Sequence, residues 1–130
     1  MIENWIVSKL DTLETLGGQV WPASTPVGSA PVPFCVFAPQ SSVPTADLSG
    51  NVIFRTDTVK VTLFDDDYDR LVSLAAAAET ALTVQQAPAE GGYIFSSTVQ
   101  QTDPDGFDLI VEQLCRTVLV TVRYWRETDG

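Results

Sequence analysis

The chain has 130 residues, 45% of them apolar and 18% charged, a composition that excludes a disordered protein and fits one domain with a hydrophobic core. Seven basic and seventeen acidic side chains give a net charge of −10, which argues against a protein that grips nucleic acid by its phosphates. Histidine is absent, so the commonest general base and the usual zinc ligand are missing and an enzyme is not expected.

The two cysteines and the apolar runs bear on the compartment. Cys35 and Cys115 each lie inside an apolar run, which predicts two buried thiols and no disulfide. No apolar run approaches 18 residues, and the first ten residues lack the pattern of a signal peptide. We therefore expect a soluble protein made in the cytoplasm, with no membrane partner.

The first third of the chain predicts a helix followed by extended segments. Apolar residues at helical spacing predict an amphipathic helix that begins at Met1 and is ended by Gly17 and Gly18. Five prolines and glycines break the segment 19–33, in which Val-Trp-Pro is expected as a short edge strand. Residues 33–37 have strand composition, and the polar segment 38–51, with two prolines, is expected as a loop.

The segment 51–64 alternates between apolar and polar residues, but the apolar positions change from even to odd numbers. One strand register cannot bury both halves, which predicts a bulge, a bend or a partner-facing arm near 55–58. The prolines and serines of the segment 38–57 disfavour a packed element, but four of its residues are too apolar for a free loop, so we expect an arm ordered by neighbouring subunits. Its expected subunit-interface residues, together with one aromatic residue near the C-terminus, are Leu48, Val52, Ile53, Phe54, Arg55 and Trp125.

The second half predicts a helix and a β-hairpin. A continuous apolar face and an alanine run predict a helix over 67–84, with Tyr68, Leu71, Val72, Ala75, Ala78 and Leu82 on the buried face. Asp103, Pro104, Asp105 and Gly106 are expected to form a hairpin turn that needs positive φ at Gly106. That turn would pair Val99 with Ile110 and Phe95 with Leu114.

The predicted order is helix, strand, strand, helix, strand, strand. This order indicates an α+β fold, a mostly antiparallel β-sheet with two helices packed on one face. We expect a single domain over residues 1–130, with residues 38–57 as a protruding loop or arm.

Four aspartates stand close together in the sequence Phe64-Asp-Asp-Asp-Tyr-Asp-Arg70. They lie where a strand ends and the alanine-rich helix begins, so Asp66 and Asp67 are interpreted as helix N-caps. A magnesium or calcium site would need further oxygen ligands, which the spacing does not supply. We expect no metal and no cofactor.

A second acidic segment approaches a calcium-loop pattern. With Gln101 as position 1, Asp103, Asp105, Gly106 and Glu112 fall at positions 3, 5, 6 and 12. The first ligand is glutamine instead of aspartate, the eighth position is Asp108, and strands are expected to flank the segment instead of helices. The hairpin turn is therefore favoured over calcium.

The chain resembles the tail-terminator and tail-completion proteins of long-tailed bacteriophages and prophages. The resemblance rests on four parts of the sequence: the opening Ile-Glu-Asn-Trp-Ile-Val-Ser-Lys-Leu-Asp-Thr-Leu, the pair Val-Trp-Pro and Pro-Phe-Cys-Val-Phe, the strand before Asp65–Asp67 with its following helix, and the closing strand Arg116–Trp125. It covers nearly the whole chain as an order of elements.

The resemblance implies a structural protein of the virion, assembled in the host cytoplasm. Subunits would form a ring, of about six, that caps the tail tube and joins it to the head connector. The implied partners are further copies of the chain, the tail-tube protein and head-connector proteins, with DNA passing through an acidic channel without being gripped. The alternatives are a neck or head–tail connector completion protein and, from another class, a small acidic calcium- or ligand-binding module.

Overall fold

The computed structural model describes residues 2–23, 31–101 and 103–129. Its helices are α1 (Ile2–Leu10) and α2 (Tyr68–Leu82), with 3₁₀ turns at Glu14–Leu16 and Glu127–Asp129. The strands are β1 (Val20–Pro22), β2 (Phe34–Ala46), β3 (Val52–Asp65), β4 (Val84–Ala89), β5 (Gly92–Gln101), β6 (Gly106–Asp108) and β7 (Gln113–Arg126). The predicted α+β class is confirmed, and the predicted helix start at Met1 lies outside the described residues.

One mixed sheet holds all seven strands in the order β1-β2-β3-β7-β5-β4, with the short β6 pairing with the beginning of β7. The pairing of β1 with β2 is parallel, and the other pairings are antiparallel. Val-Trp-Pro is the edge strand β1, as predicted. β4 is a strand that the predicted order of elements does not include.

The core lies between one face of the sheet and the two helices. In β3, Val59, Val61 and Leu63 are buried and pair with β7, whose Val118 and Val120 point to the same side. The helices contribute Ile2, Trp5, Ile6, Leu10, Leu71, Leu74, Ala75, Ala78 and Leu82.

The buried face of α2 differs in part from the predicted one. Tyr68 and Val72, predicted to be buried, are 50% and 37% exposed, and Leu74 is buried instead. The buried positions 71, 74, 75, 78 and 82 keep helical spacing. The buried face of α2 is therefore rotated relative to the predicted one and leaves out Tyr68 and Val72. Because Tyr68 is the first residue of α2, its side chain can reach a polar group outside the helix with its hydroxyl.

The segment expected as a loop after Phe37 is a strand. β2 continues to Ala46 and pairs with β3 from Phe34↔Phe64 to Ala46↔Val52, so residues 38–57 form a long β-hairpin, which we call the arm. Its two prolines are compatible with a strand because the outer side of residues 38–46 has no partner strand among the described residues. The bulge predicted near 55–58 lies on the opposite strand, at Gln40 of β2, and a second register shift falls between Thr45 and Ala46. β3 pairs with β7 without interruption.

The hairpin register predicted for β5 and β7 was wrong. Val99 pairs with Val120 instead of Ile110, a shift of ten residues along β7. A shift by an even number keeps the same side chains on the same face, so alternation could not exclude it. Phe95, expected opposite Leu114, sits at the bulge between Ile94 and Ser96 and is 40% exposed.

Candidate assembly surfaces

The acidic segment before α2 is organised around Arg70. Its Nε and Nη2 atoms lie 2.7 and 2.6 Å from the two carboxylate oxygens of Asp65, which is fully buried at the end of β3. The Nη2 atom also contacts the exposed Asp66 at 3.1 Å. The arrangement closes the strand–helix junction with an internal ion pair.

Asp67 and Asp66 have different roles at this junction. Asp67 is the N-cap of α2, and its Oδ1 accepts a hydrogen bond from the backbone N–H of Arg70 at 3.1 Å. Asp66 does not cap the helix, because its carboxylate is turned toward the Arg70 guanidinium. Only one side chain can occupy the N-cap position, and the backbone of Asp67 is the one in the extended conformation there.

The electrostatic environment keeps Asp65 ionised. Burial raises the pKa of this carboxyl, but the hydrogen bonds from Arg70 and from the backbone N–H of Asp67 outweigh that effect and leave the pKa below its usual value. The pKa of Arg70 is raised by the same pair. A carboxylate committed to an arginine in this way is not available as a proton donor or a metal ligand at neutral pH.

The second acidic segment is also built around an arginine. Both carboxylate oxygens of Asp105 lie 2.7 Å from Arg116 of β7, at Nε and Nη2. Tyr68 donates its hydroxyl to Asp105 at 3.1 Å, and Gln101 donates its amide to the same carboxylate at 3.0 Å. The Arg116 hydrogen bond, with burial opposing it, lowers the pKa of Asp105. Asp105 thus links β5, β7 and α2.

The segment 103–106 is not the predicted tight turn. Asp103 and Pro104 lie in the connection, and Gly106 already begins β6 opposite Cys115. Gly106 is not among the glycines with positive φ, and the actual reversal follows over 109–112, where Glu112 has φ of 60°. Within the described ranges, no three Asp, Glu or Cys side chains are placed to hold a metal ion.

That reversal, which sequence reasoning missed, displays apolar side chains. Leu109 and Ile110 are 83% and 93% exposed, and Phe107 on β6 is 55% exposed. We call residues 107–112 the tip. The sequence signal for the tip is the run Phe-Asp-Leu-Ile-Val-Glu, but its alternation predicts the continuation of a strand.

The arm displays the second exposed apolar group. Leu48 in its turn is fully exposed, and Ile53 and Val43 on its strands are 51% and 56% exposed. The turn is ordered by Asp47, whose Oδ1 accepts the backbone N–H groups of Ser49 and Asn51 at 2.9 and 3.0 Å. Of the expected interface residues, Leu48 and Ile53 are therefore presented to solvent.

The other expected interface residues are half-buried. Val52 and Arg55 lie on β3, and Phe54 packs under the guanidinium of Arg123, whose Cζ is 5.0 Å from the ring centre. Trp125 pairs with Tyr93 across β7 and β5. These residues brace the base of the arm, where Tyr124 donates its hydroxyl to Asp57 at 3.1 Å.

Three surface depressions accompany these features. One of about 320 Å³ is lined by Asn4, Trp5, Ser8 and Glu90, and one of about 300 Å³ lies beside Arg70 between the 3₁₀ turn and α2. The third, of about 170 Å³, includes Glu79, Gln101 and Arg116. None of the helices in the described part of the chain is long and apolar enough to cross a membrane.

No protein-family model matches the chain, and no curated protein sequence matches it. Among solved structures, a chain from the virion of a native gene transfer agent particle is similar with a TM-score of 0.70 and 13% sequence identity. The similarity covers 92% of this chain and 90% of that chain. At this identity the similarity shows that the two chains share a fold over nearly their whole lengths.

Proposed function

We propose that this chain is a structural protein of a phage-like particle and, within the particle, a tail-terminator or tail-completion subunit. The observation that carries the proposal is the fold shared with a chain of a gene transfer agent virion, over 92% of this chain and 90% of the other. The resemblance of the sequence to tail-terminator proteins points the same way and supplies the finer role.

The surfaces of the molecule support an assembly role. Ring-forming contacts are heterologous and need two different patches on each subunit. The arm with Leu48 and Ile53 and the tip with Leu109 and Ile110 are two separate exposed apolar groups. Exposed apolar groups of this kind are typical of surfaces that bind another protein.

In this proposal, copies form a ring of about six that docks on the last ring of tail-tube subunits and stops their polymerisation. The opposite side of the ring meets the head connector. The net charge of −10 would let DNA slide through the ring without being held. The protein would act in the virion after assembly in the host cytoplasm, without catalysis and without a cofactor.

The test is deletion of the gene in cells that make the particles, followed by electron microscopy of the tails. A tail terminator gives tails of irregular, extended length when it is missing, and complementation with the wild-type gene restores one length. Tails of normal length that fail to join heads would instead assign the chain to the neck. Normal particles would refute both roles.

Shortening the arm refines this test. Replacing residues 45–54 with Asn-Gly joins the paired residues Pro44 and Arg55 through a two-residue turn and leaves the Tyr124–Asp57 contact in place. We expect a folded protein by circular dichroism that fails to complement the deletion. Complementation to normal tail length would show that the arm is not an interface.

The calcium-binding alternative has its own experiment. A specific ion at 100 times its dissociation constant stabilises a protein by about 2.7 kcal/mol, which a melting curve resolves easily. We expect no shift with calcium, because Asp105 is held by Arg116 through both carboxylate oxygens.

A further inference from the structure

The tip presents large aliphatic side chains to solvent from a rigid frame. The Oδ1 atom of Asp108 accepts the backbone N–H groups of Ile110 and Val111, both at 2.9 Å, and the Glu112 N–H donates to the Asp108 carbonyl at 2.7 Å. These bonds fix the turn that carries Leu109 and Ile110. The tip therefore loses little backbone conformational entropy when a partner covers the two side chains.

The frame is fastened to the body of the domain on both sides. β6 pairs with the first residues of β7, and just before it Asp105 is clamped by Arg116 and contacted by Tyr68 of α2. The tip is thus held against both the sheet and a helix.

The tip and the arm lie at opposite ends of the sheet. The pairing of β3 with β7 places Asp65 beside Leu114, next to the tip, and Arg55 beside Tyr124, next to the arm. β3 has 14 residues, so roughly 45 Å along the strands separates the two exposed apolar groups. Surfaces at opposite ends of one subunit cannot meet within it, but they can meet between successive copies.

The charges are distributed unevenly along the same direction. The segments 65–70 and 103–116 at the tip end contain eight of the seventeen carboxylates and two arginines, a net charge of −6. The arm end holds three arginines and five carboxylates, a net charge of −2, from Arg55, Arg123, Arg126, Asp47, Asp57, Glu90, Glu127 and Asp129. A tip that approached another tip would bring the two most acidic surfaces together, whereas a tip that approaches an arm meets a less acidic surface.

We propose that the tip of one copy, through Leu109 and Ile110, packs against the arm of the next copy, through Val43, Leu48 and Ile53. The proposal rests on the proposed function, since it identifies the two halves of the contact that would close the ring. The contact is head-to-tail, so each subunit uses one tip and one arm.

Two variants separate the halves of the contact. The tip variant carries Leu109→Ser and Ile110→Ser, and the arm variant carries Leu48→Ser and Ile53→Ser. All four positions are exposed, so we expect both variants to fold. The control is Val72→Ser on α2, which removes an exposed apolar side chain outside both surfaces. Circular dichroism melting confirms that each variant is folded.

Sedimentation velocity over a concentration series measures association. We expect the wild type and the control to form oligomers, and each double variant to associate at least tenfold more weakly. An equimolar mixture of the tip variant and the arm variant retains one intact contact, from the arm of the first to the tip of the second. The mixture should therefore form one-to-one dimers and nothing larger.

Three results would overturn the contact: a variant that assembles like the wild type, a mixture that stays monomeric while the wild type assembles, or a wild type that stays monomeric at about 1 mM. The last result leaves the virion role untouched, because that role is judged by tail length in the deletion strain.

Discussion

The guanidinium of Arg70 donates two hydrogen bonds, of 2.7 and 2.6 Å, to the buried carboxylate of Asp65. The two residues are five apart in sequence and lie on either side of the junction between β3 and α2. The Asp65 side chain is completely buried, whereas 41% of the Arg70 side chain is exposed. Without this partner, the buried carboxylate would keep only the backbone N–H of Asp67, at 3.2 Å, as compensation for its lost hydration. The pair therefore ties the last residue of β3 to the first turn of α2.

Asp65→Asn should lower the free energy of unfolding by about 2 kcal/mol at pH 7, because the bidentate charged pair is replaced by a neutral amide. Solvent at Arg70 keeps the loss below that of a fully buried pair. Urea unfolding measures it, with Asp66→Asn as the matched control on the same arginine. Asp66 is exposed, and its substitution should change stability by no more than about 0.5 kcal/mol.

The same pair predicts a pH dependence. The pKa of folded Asp65 lies below the ordinary 3.8, so its contribution is complete above the pKa of the unfolded chain and is lost as the pH falls through the folded value. The difference between wild type and Asp65→Asn should be constant above about pH 5 and shrink below about pH 4. A difference that grows in acid would contradict the lowered pKa.

Asp67→Ala should cost about 1 kcal/mol through loss of the helix N-cap, whereas Asp66→Ala should cost clearly less because that side chain does not cap. Thermal or urea unfolding of the two variants gives the comparison. Neither variant should change affinity for calcium or magnesium by isothermal titration. Micromolar binding to the wild type that disappears in either variant would replace the capping interpretation with a metal site.

Two glycines on β5 and β6, the strands that pair with one side of β7, should respond differently to replacement by alanine. A Cβ atom on Gly92 would lie 2.0 Å from the backbone oxygen of Trp125, so Gly92→Ala must push β5 away from β7 and should cost about 1–3 kcal/mol. At Gly106 the nearest atom is the sulfur of Cys115 at 4.0 Å, so Gly106→Ala should be nearly neutral. Melting temperatures decide, and a large loss at Gly106 would restore the tight-turn interpretation of that segment.

The two cysteines, free thiols as predicted, should differ in reactivity. Burial, with a smaller effect of Asp11, raises the pKa of Cys35 to about 12, and the thiol has no contact with solvent. Cys115 is only half-buried, although burial raises its pKa as well. At pH 8, iodoacetamide should modify Cys115 slowly and Cys35 only after unfolding in urea, as followed by mass spectrometry. Equal rates for both would show that the β1–β2 edge opens in the native protein.

Local chemistry was enough to predict several elements from the sequence. The alanine-rich segment with an aspartate before it became α2 with Asp67 at its N-cap, because propensity and capping act over one or two turns. Val-Trp-Pro became an edge strand. The α+β class follows from the order of such elements.

Tertiary structure decided which strand positions pair and which loops are exposed. Alternation has a period of two, so the sequence could not distinguish Val99 opposite Ile110 from Val99 opposite Val120. The observed register frees residues 107–112 from the long strand and turns Leu109 and Ile110 outward, creating the tip. Likewise, Pro39 and Pro44 indicated a loop until the long pairing of β2 with β3 placed them at an unpaired outer edge, where a missing N–H costs nothing. Both candidate surfaces thus depend on pairings between distant residues, which no local pattern specifies.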